Sequence, residues 1–256
     1  MDPSLTAEQF EALRRLDGCT LANAIETFNI RLRNEGFASH AAVHCIFPDL
    51  PPMLGYAVTG RIRSASPPIA SSLPPPQTLT FAHRDDWWSY VLSVPEPRVV
   101  VLRDVDPSPG LGAFIGDVHS AICQALGCVG YVTNGAVRDT ESVRASRFHL
   151  FARHISVSHA YAHLVDFGES VEVGGMHVRP GDLIHGDRNG VQTVPNHIAA
   201  KLPAVAAHLG RKERRIIEFS KSREFTLDKL RAIITDAEDA CSAATVNFTR
   251  QEQEKE

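Results

Sequence analysis

The sequence predicts a mixed α/β protein with a parallel βαβ core, an antiparallel portion and a helical C-terminal tail. The apolar run 98–105, the helical pattern 116–127 and the apolar run 128–135 follow one another as strand, helix and strand, which is typical of a right-handed parallel crossover. Residues 154–195 hold short strand-like runs separated by Gly-Gly, Pro-Gly and Asn-Gly turns. From residue 197 onward the pattern is helical, with mixed charges on one side.

The N-terminal residues predict two helices. Thr6 followed by Gln9 fits a capping box, and apolar residues then recur at helical spacing. Gly18 is predicted to end this first helix. Thr20 is predicted to cap a second helix, with the sequence LANAIETF.

The next segment predicts a strand followed by an irregular loop. Residues 54–63 alternate well enough to form the strand. Residues 64–80, SASPPIASSLPPPQTLT, are rich in Pro and Ser and predict an irregular excursion. We place no domain boundary there, because the following DDWWSYVLSVPEP looks like more of the same domain. The adjacent Trp87 and Trp88 are interpreted as packing under this loop rather than as a ligand platform.

The composition argues against several functional classes. The 256-residue chain has 26 Lys plus Arg and 30 Asp plus Glu, so no basic surplus indicates nucleic acid or an anionic membrane as a partner. It has no apolar run of membrane-spanning length, and its start, MDPSLTAEQF, lacks the features of a signal peptide. The five cysteines are scattered and form no CxxC motif, so neither a disulfide framework nor a zinc knuckle is expected. We therefore expect a cytoplasmic protein.

Two histidine pairs with four-residue spacing are interpreted as structural. His159 and His163 fall in a segment that favours a strand, because alternate apolar residues share their phase. Four residues along a strand span about 13 Å, which is too far for two ligands of one ion. His40 and His44 have the same spacing and less support.

Two glycine-containing motifs are also weighed against a ligand site. The motif GDRNG at 186–190 could place acids near an ion, but Asn-Gly between two strand-like runs more simply predicts a hairpin turn. The motif GLGAFIG at 110–116 resembles a degenerate dinucleotide fingerprint. However, DPSP separates it from the preceding strand, and the second strand ends at Asn134 rather than at the acid expected for a ribose.

The strongest candidate site combines Asp117 with Arg138 and Asp139. Asp117 begins the crossover helix and the Arg-Asp pair follows the second strand, so both lie at the same edge of the predicted sheet, where open α/β sheets bind ligands. The amides of Val118 and His119 are predicted to be unpaired there and available to a carboxylate. Arginine can fork onto an anion, and aspartate is a hard ligand for Mg²⁺ or Mn²⁺. The alternative, an Arg-Asp ion pair that only caps a loop, stays open.

The run GAFIGDVHSAICQALGCVGYVTNGAVRDT resembles the central segment of the RraA-like family, which includes the 4-hydroxy-4-methyl-2-oxoglutarate aldolase/oxaloacetate decarboxylases. Members of that type carry an acid, a gap of twenty residues and then Arg-Asp, as residues 118–137 do here between Asp117 and Arg138. The runs RPGDLIHGDRNGVQTVP and DGCTLANAI are similar to the family's hairpin and N-terminal helix start. The resemblance covers roughly residues 16–195.

The resemblance implies a layered β/β/α fold related to swivelling domains, assembled as homotrimers or homohexamers with the site at the subunit interface. A single domain is then expected over residues 1–256, with a core at about 16–195 and a helical tail at 197–256. Two features depart from the family pattern. Asn23 stands where the family usually has Asp, and both the excursion 64–80 and the long tail are additions that leave the second half of the substrate undetermined.

The resemblance also implies roles for individual residues. Asp139 would bind Mg²⁺ or Mn²⁺, and Arg138 would bind the 2-oxo oxygen and stabilise an enolate. Asp117 would orient the water that exchanges protons with the pyruvyl methyl group. The backbone at Gly116, Val118 and His119 would hold the substrate carboxylate.

A glutamate from the neighbouring subunit's C-terminal helix completes the metal environment in aldolase members of the family. Glu213 is the candidate in this chain, with Glu218 and Glu224 as rivals.

The implied function is a divalent-metal-dependent lyase that cleaves a C–C bond of a 2-oxo acid through a pyruvate enolate. Its substrates would be 4-hydroxy-4-methyl-2-oxoglutarate-like acids, oxaloacetate, or a different 2-oxo acid. The main alternative is a non-catalytic regulator that binds an RNA-degrading enzyme. That branch of the family lacks the acid after the arginine, whereas Asp139 is present here. A methyltransferase has little support, because no glycine-rich loop directly follows a strand.

Overall fold

A computed structural model describes residues 5–68 and 84–235. The helices are α1 (Ala7–Arg14), α2 (Gly18–Glu26), α3 (Arg84–Ser93), α4 (Asp117–Ala125), α5 (Thr140–Ala145), α6 (Asn196–Ala199) and α7 (Leu202–Ser220). The strands are β1 (His44–Cys45), β2 (Met53–Arg63), β3 (Arg98–Asp104), β4 (Ala113–Ile115), β5 (Cys128–Thr133), β6 (Ala136–Val137), β7 (His149–Ala152), β8 (His154–Ile155), β9 (His163–Phe167), β10 (Val171–Val173), β11 (Met176–Val178), β12 (Leu183–Asp187) and β13 (Gly190–Val194).

One large, nearly closed sheet organises the fold. Its strand order is β1-β7-β5-β3-β2-β12-β13, and β9 also pairs with β2. Strands β2, β3, β5 and β7 run parallel, whereas β1, β9, β12 and β13 join antiparallel. The outer strands β1 and β13 lie in contact, and a bridge between Phe37 and Gln192 helps to close the gap.

Three layers pack around this sheet. Helices α3, α4 and α5 cover one face, and the β10–β11 hairpin covers the other. Strand β3 serves both faces, since Val100 packs on the helical side and Val99 and Val101 pack on the hairpin side. That double burial explains why this strand reads as a continuous apolar run. Helices α1, α2 and α7 form a separate apolar cluster with β12 and β13.

The predicted βαβ unit is confirmed. Strands β3 and β5 pair in parallel, and α4 makes the crossover between them. A smaller parallel sheet, β4-β6-β8, stands beyond the carboxyl ends of these strands and was not predicted. The layered α/β class with an antiparallel portion is therefore correct, and the small sheet is an additional feature.

The N-terminal prediction is correct for the first helix and wrong for the start of the second. The Thr6–Gln9 capping box is present, but α1 ends at Arg14 and Gly18 is the first residue of α2. Asp17 is the N-cap, and it accepts hydrogen bonds from the Thr20 amide and hydroxyl. Thr20 therefore donates to the cap and is not itself the cap.

The loop predictions have mixed outcomes. The GDRNG hairpin is confirmed, because β12 and β13 pair around Arg188 and Asn189. A continuous strand through His159 and His163 is wrong. Ala160 has a left-handed φ of 45°, and the Ala162 amide donates to the His159 carbonyl, so a turn separates β8 from β9.

Other expectations are settled only in part. Trp87 packs in the core on the helical side of the sheet, with Trp88 partly buried against it, but most of the loop that they were expected to lie under is outside the described residues. The helical tail is confirmed over 202–220 and again over 227–235. The excursion 64–80 falls mostly within residues 69–83, which lie outside the described residues, as does the tail beyond 235. Among the described helices, none has the length and apolar character needed to cross a membrane.

Candidate functional site

An open cleft of about 590 Å³ lies where α4 begins and β6 ends. Residues 116–119 at the start of α4, the Arg138–Asp139 pair after β6, and residues 159–163 before β9 line it. The topology brings these segments together, because β4 and β6 are neighbours in the small sheet and the Arg138 amide donates to the Ile115 carbonyl at 3.1 Å. The structure thus places the predicted acid and Arg-Asp pair at one edge.

Asp139 occupies an unusual backbone position in the cleft. Its φ of 52° is left-handed, a conformation that aspartate and asparagine tolerate better than most residues. Asp139 precedes α5, yet its side chain makes no capping hydrogen bond to that helix. The carboxylate turns instead towards Arg138, whose Nε donates to Oδ2 at 3.0 Å, and towards the Asp117 amide, 3.4 Å away.

Gly116 is required by this carboxylate. A Cβ at residue 116 would lie 2.3 Å from Asp139 Oδ2 and 3.1 Å from Arg138 Cγ. The backbone φ of Gly116 is −142°, which any residue can adopt, so the constraint is steric rather than conformational. Glycine at this position leaves room for the Arg-Asp pair to lie against the start of α4.

The chain itself occupies part of the predicted anion cradle. The Val118 amide donates a hydrogen bond to the Asp117 carboxylate, with an N–Oδ1 distance of 2.7 Å, so the prediction that this amide is unpaired is wrong. The first turn of a helix attracts the nearest available carboxylate, and here the chain supplies its own. The His119 ring stacks on Phe114, with ring centroids 5.2 Å apart. A substrate carboxylate would have to displace Asp117 from the Val118 amide.

The carboxylates of the cleft fit a hard divalent cation that would take its remaining ligands from water and substrate. Across residues 5–68 and 84–235 no group of three His, Cys, Asp or Glu side chains is arranged to hold an ion, so the chain supplies no complete cage. Within that part of the chain, both hydrogen bonds of the Asp139 carboxylate are made by Oδ2, which leaves Oδ1 available. Mg²⁺ is often bound by one or two carboxylates together with water and substrate oxygens. Asp139, with Asp117 close by, fits that pattern.

The three candidate glutamates lie away from this cleft within one chain. Glu213 is exposed on α7 and accepts a hydrogen bond from Asn23 of α2 at 3.4 Å. Glu218 is exposed near the end of α7, and Glu224 pairs with Lys229. Placement of any of them at the cation would require a second subunit.

Two histidines in the cleft were not predicted as site residues. His159 Nδ1 pairs with the Ala160 carbonyl at 2.9 Å, and His163 Nδ1 pairs with the Tyr161 carbonyl at 2.7 Å. Because a carbonyl only accepts, each Nδ1 carries the proton and a neutral ring keeps its Nε2 lone pair. Their four-residue spacing was visible in the sequence. The alternation of apolar residues around them, however, predicted a strand, so the turn that brings both rings to the cleft was not predicted.

The nearly closed sheet and the cluster of acid, arginine and acid in an open cleft define a layered α/β protein with a site at the edge of its parallel strands. A family profile described as RraA-like, Aldolase/RraA, matches residues 19–192. The chain therefore belongs to the RraA-like family.

Two related proteins match parts of this chain in sequence. A protein of Halalkalibacterium halodurans, provisionally named 4-hydroxy-4-methyl-2-oxoglutarate aldolase, is 33% identical over 84 residues, which are 32% of this chain and 40% of that protein. An uncharacterized protein of Methanocaldococcus jannaschii, MJ0644, is 28% identical over 137 residues, 52% of this chain and 66% of its own length. The chain thus spans less than two thirds of either relative.

Solved structures share the fold. An uncharacterized protein from Pseudomonas syringae pv. tomato superposes with a TM-score of 0.68 at 24% identity, covering 91% of this chain and 96% of that one. RraAS2 of Streptomyces coelicolor, described as an unusual member of the RNase ES inhibitor RraA family, superposes with a TM-score of 0.61 at 20% identity, covering 82% and 97%. At these identities the likeness concerns the fold alone.

Proposed function

We infer that the protein is a divalent-metal-dependent lyase that cleaves a C–C bond of a 2-oxo acid through a pyruvate enolate. The convergence of Arg138, Asp139 and the start of α4 on one cleft carries this proposal. The substrates we propose are 4-hydroxy-4-methyl-2-oxoglutarate-like acids and oxaloacetate. Both reactions leave an electron pair on the same pyruvyl carbon, so one site serves both.

Arg138 is suited to bind and stabilise the enolate oxygen. Arg138 Nε donates a hydrogen bond to the Asp139 carboxylate. Within the described chain, the two terminal nitrogens of the Arg138 guanidinium make no hydrogen bond. A cation fixed in place before reaction stabilises developing negative charge better than one that must reorient. Arg138 would therefore donate to the 2-oxo oxygen as it becomes an enolate.

Asp139 would hold the metal through its available Oδ1, with Glu213 of a neighbouring subunit as a further ligand in a homotrimer or homohexamer. Mg²⁺ or Mn²⁺, when bound, would supply Lewis-acid stabilisation of the negative charge on the 2-oxo acid. Asp117 stands beside this position and orients a water molecule. That water delivers the proton that converts the enolate carbon into the methyl group of pyruvate.

The alternative is a non-catalytic regulator that binds an RNA-degrading enzyme. The fold shared with RraAS2 is compatible with that role, but a protein-binding surface does not need an acid with an unused oxygen beside a fixed arginine. Asp139 therefore favours the lyase.

The test follows pyruvate release from oxaloacetate and from 4-hydroxy-4-methyl-2-oxoglutarate, with Mg²⁺ or Mn²⁺ and then with EDTA. Arg138→Lys keeps the charge but loses the fork, and we expect kcat to fall about 100-fold. Arg144→Lys is the matched control, because Arg144 pairs with Asp49 at the surface outside the cleft. Absence of metal-dependent turnover of either acid in the folded, metal-loaded protein would exclude these two reactions and favour a different 2-oxo acid or the regulator.

A further inference from the structure

A second cavity of about 340 Å³, here named the side pocket, adjoins the cleft. The two share Trp88, Phe114, His119, Ile122, Ala162 and His163 as a common wall. The remaining walls of the side pocket are mainly apolar and come from α3, α4 and the strands β3, β4, β5 and β9. The side pocket and the cleft are therefore immediate neighbours.

The size and lining of the side pocket suit a ring-sized apolar group. Small-molecule sites measure about 300–1,000 Å³, and an apolar cavity of about 150 Å³ is large enough for benzene. No lysine or arginine of the described residues lines the side pocket, whereas the carboxylate of Asp85 does. Apart from the rings of His119 and His163, the described lining therefore offers a second carboxylate on the ligand no cationic partner.

One buried polar group in this wall lacks a partner. Tyr131 lines the side pocket and is fully buried, and its hydroxyl makes no hydrogen bond within the described chain. The Thr133 hydroxyl lies nearby but not in hydrogen-bond geometry. Burial raises the pKa of Tyr131 well above its ordinary value, so the hydroxyl keeps its proton and can donate. Buried hydroxyls are rarely left unpaired, so this one is an exception within the wall of the side pocket.

We propose that the side pocket receives the half of the substrate that leaves as the carbonyl product, and that this half is uncharged and carries an aromatic or similarly bulky apolar group. The proposal rests on the lyase function above. The substrate is then a 4-hydroxy-2-oxo acid with an aryl group at C4. Its C3–C4 bond breaks, the pair of electrons forms the pyruvate enolate, the 4-hydroxyl proton passes to water, and an aryl aldehyde or ketone is released.

Binding can be measured without any reaction, because the chain's two tryptophans, Trp87 and Trp88, both line the side pocket. Benzyl alcohol, an unreactive ring with one hydroxyl, is expected to change tryptophan fluorescence saturably in the absence of metal. Propan-1-ol is expected to have no saturable effect. An absence of saturable binding of benzyl alcohol would overturn the proposal, whatever the catalytic results.

A filling variant locates the binding site. Cys123 lines the side pocket but not the cleft, and Cys123→Phe should weaken benzyl alcohol binding about tenfold or more. Ala121→Phe is the matched control, because it adds a ring on the exposed face of the same helix. Should Cys123→Phe not fold, Cys123→Leu fills part of the same space. Equal affinity in wild type and the folded filling variant would overturn the proposal.

Turnover then separates this inference from the lyase function. We expect 4-hydroxy-2-oxo-4-phenylbutanoate to be cleaved with a kcat/KM about 10- to 100-fold above that of 4-hydroxy-4-methyl-2-oxoglutarate, a preference that Cys123→Phe removes. Equal or reversed preference, with both acids cleaved, would overturn the inference and leave the lyase intact. Saturable binding that the filling variant removes, without turnover of any acid, would support the pocket and refute the lyase.

Discussion

Two aspartates that face a glycine serve different purposes in this molecule. Asp187 ends β12 and is buried, with 6% of its surface exposed. Its Oδ2 accepts from the Gly18 amide at 2.8 Å and from the Asn189 side chain at 3.2 Å, while Oδ1 accepts from the Asn189 amide at 2.8 Å. Every oxygen is used, and the result joins the start of α2 to the β12–β13 hairpin.

Asp139 also lies against a glycine, but only one of its two carboxylate oxygens is hydrogen-bonded within the described chain. Its side chain is 30% exposed, only Oδ2 is bonded within the described chain, and Gly116 lies against it as Gly18 lies against Asp187. A carboxylate whose bonds are all made by the protein stabilises the fold. One that keeps an oxygen facing a cleft, in a left-handed backbone conformation, is available to a ligand.

Asp139→Asn should produce the largest effect, and it should fall on activity alone. Asparagine tolerates the left-handed conformation, whereas alanine would add about 1–2 kcal/mol of strain. Loss of the charge on the metal ligand that we propose should lower kcat/KM by about 1,000-fold or more. The free energy of unfolding, measured in urea without metal, should change by less than about 0.5 kcal/mol. A large loss of stability would show that Asp139 is structural, as Asp187 is.

Asp187→Asn should have the opposite effect. One of its oxygens becomes an amide donor that faces the N–H groups of Gly18 or Asn189, so we expect the free energy of unfolding to fall by about 1.5–3 kcal/mol. The turnover number per folded molecule should match wild type, because Asp187 does not line the cleft. Unchanged urea unfolding would contradict the assignment of this cluster to stability.

Substituting the glycine that lies against each aspartate should show the same contrast between activity and stability, with smaller effects. Gly116→Ala places a Cβ 2.3 Å from Asp139 Oδ2, so the carboxylate must move, and we expect kcat/KM to fall about 10- to 100-fold. Gly18→Ala places a Cβ at 3.0 Å from Asp187 Oδ1, a contact that small shifts relieve. Because Gly18 is the first residue of α2, alanine stabilises the helix by less than the roughly 0.5–1 kcal/mol typical of a helix interior, so stability should change by less than about 1 kcal/mol. Steady-state kinetics that show equal activity in both variants would remove the steric role of Gly116.

The location of the site could be predicted because it follows from topology. A residue at the start of a crossover helix and a pair just past the second strand must meet at one sheet edge, as Asp117 and Arg138 do. The strands themselves carry strong patterns, since β3 is buried on both faces and β5 follows a well-formed helix. The chemical roles of these residues remain predictions.

Other features have no local signal in the sequence. Strands β6 and β8 are two residues each, too short to show a period, yet they position Arg138. Asp17 and Thr20 are both good N-caps, and the choice depends on Asp187, 169 residues away along the chain, which holds the Gly18 amide. The turn at Ala160 interrupts a run whose alternation resembles a strand. In each case a distant contact decides between local alternatives.

Acid should weaken the cluster around Asp187. The His185 ring is fully buried beside it, Nε2 donates to the Leu16 carbonyl at 2.9 Å, and Nδ1 has no partner within the described chain. Burial lowers the pKa of His185 below its ordinary value of 6.5, so below that pH the unfolded chain binds a proton that the folded chain resists. Stability should therefore fall with acid, by up to about 1.4 kcal/mol per pH unit for this group.

Urea unfolding between pH 7 and pH 5 measures this slope, and His185→Gln should reduce it. His149 should contribute a second part of this pH dependence. Burial, together with the positive charges of Arg147 and Arg14, lowers the pKa of His149 to about 4. His149→Gln should reduce the slope independently, and the two reductions should add, because the side chains belong to separate strands. An unchanged slope in His185→Gln would mean that its ring accepts a proton in the folded state. The Asp187 region would then be accessible to solvent, as the cleft is, and the two aspartates would differ less than the comparison above states.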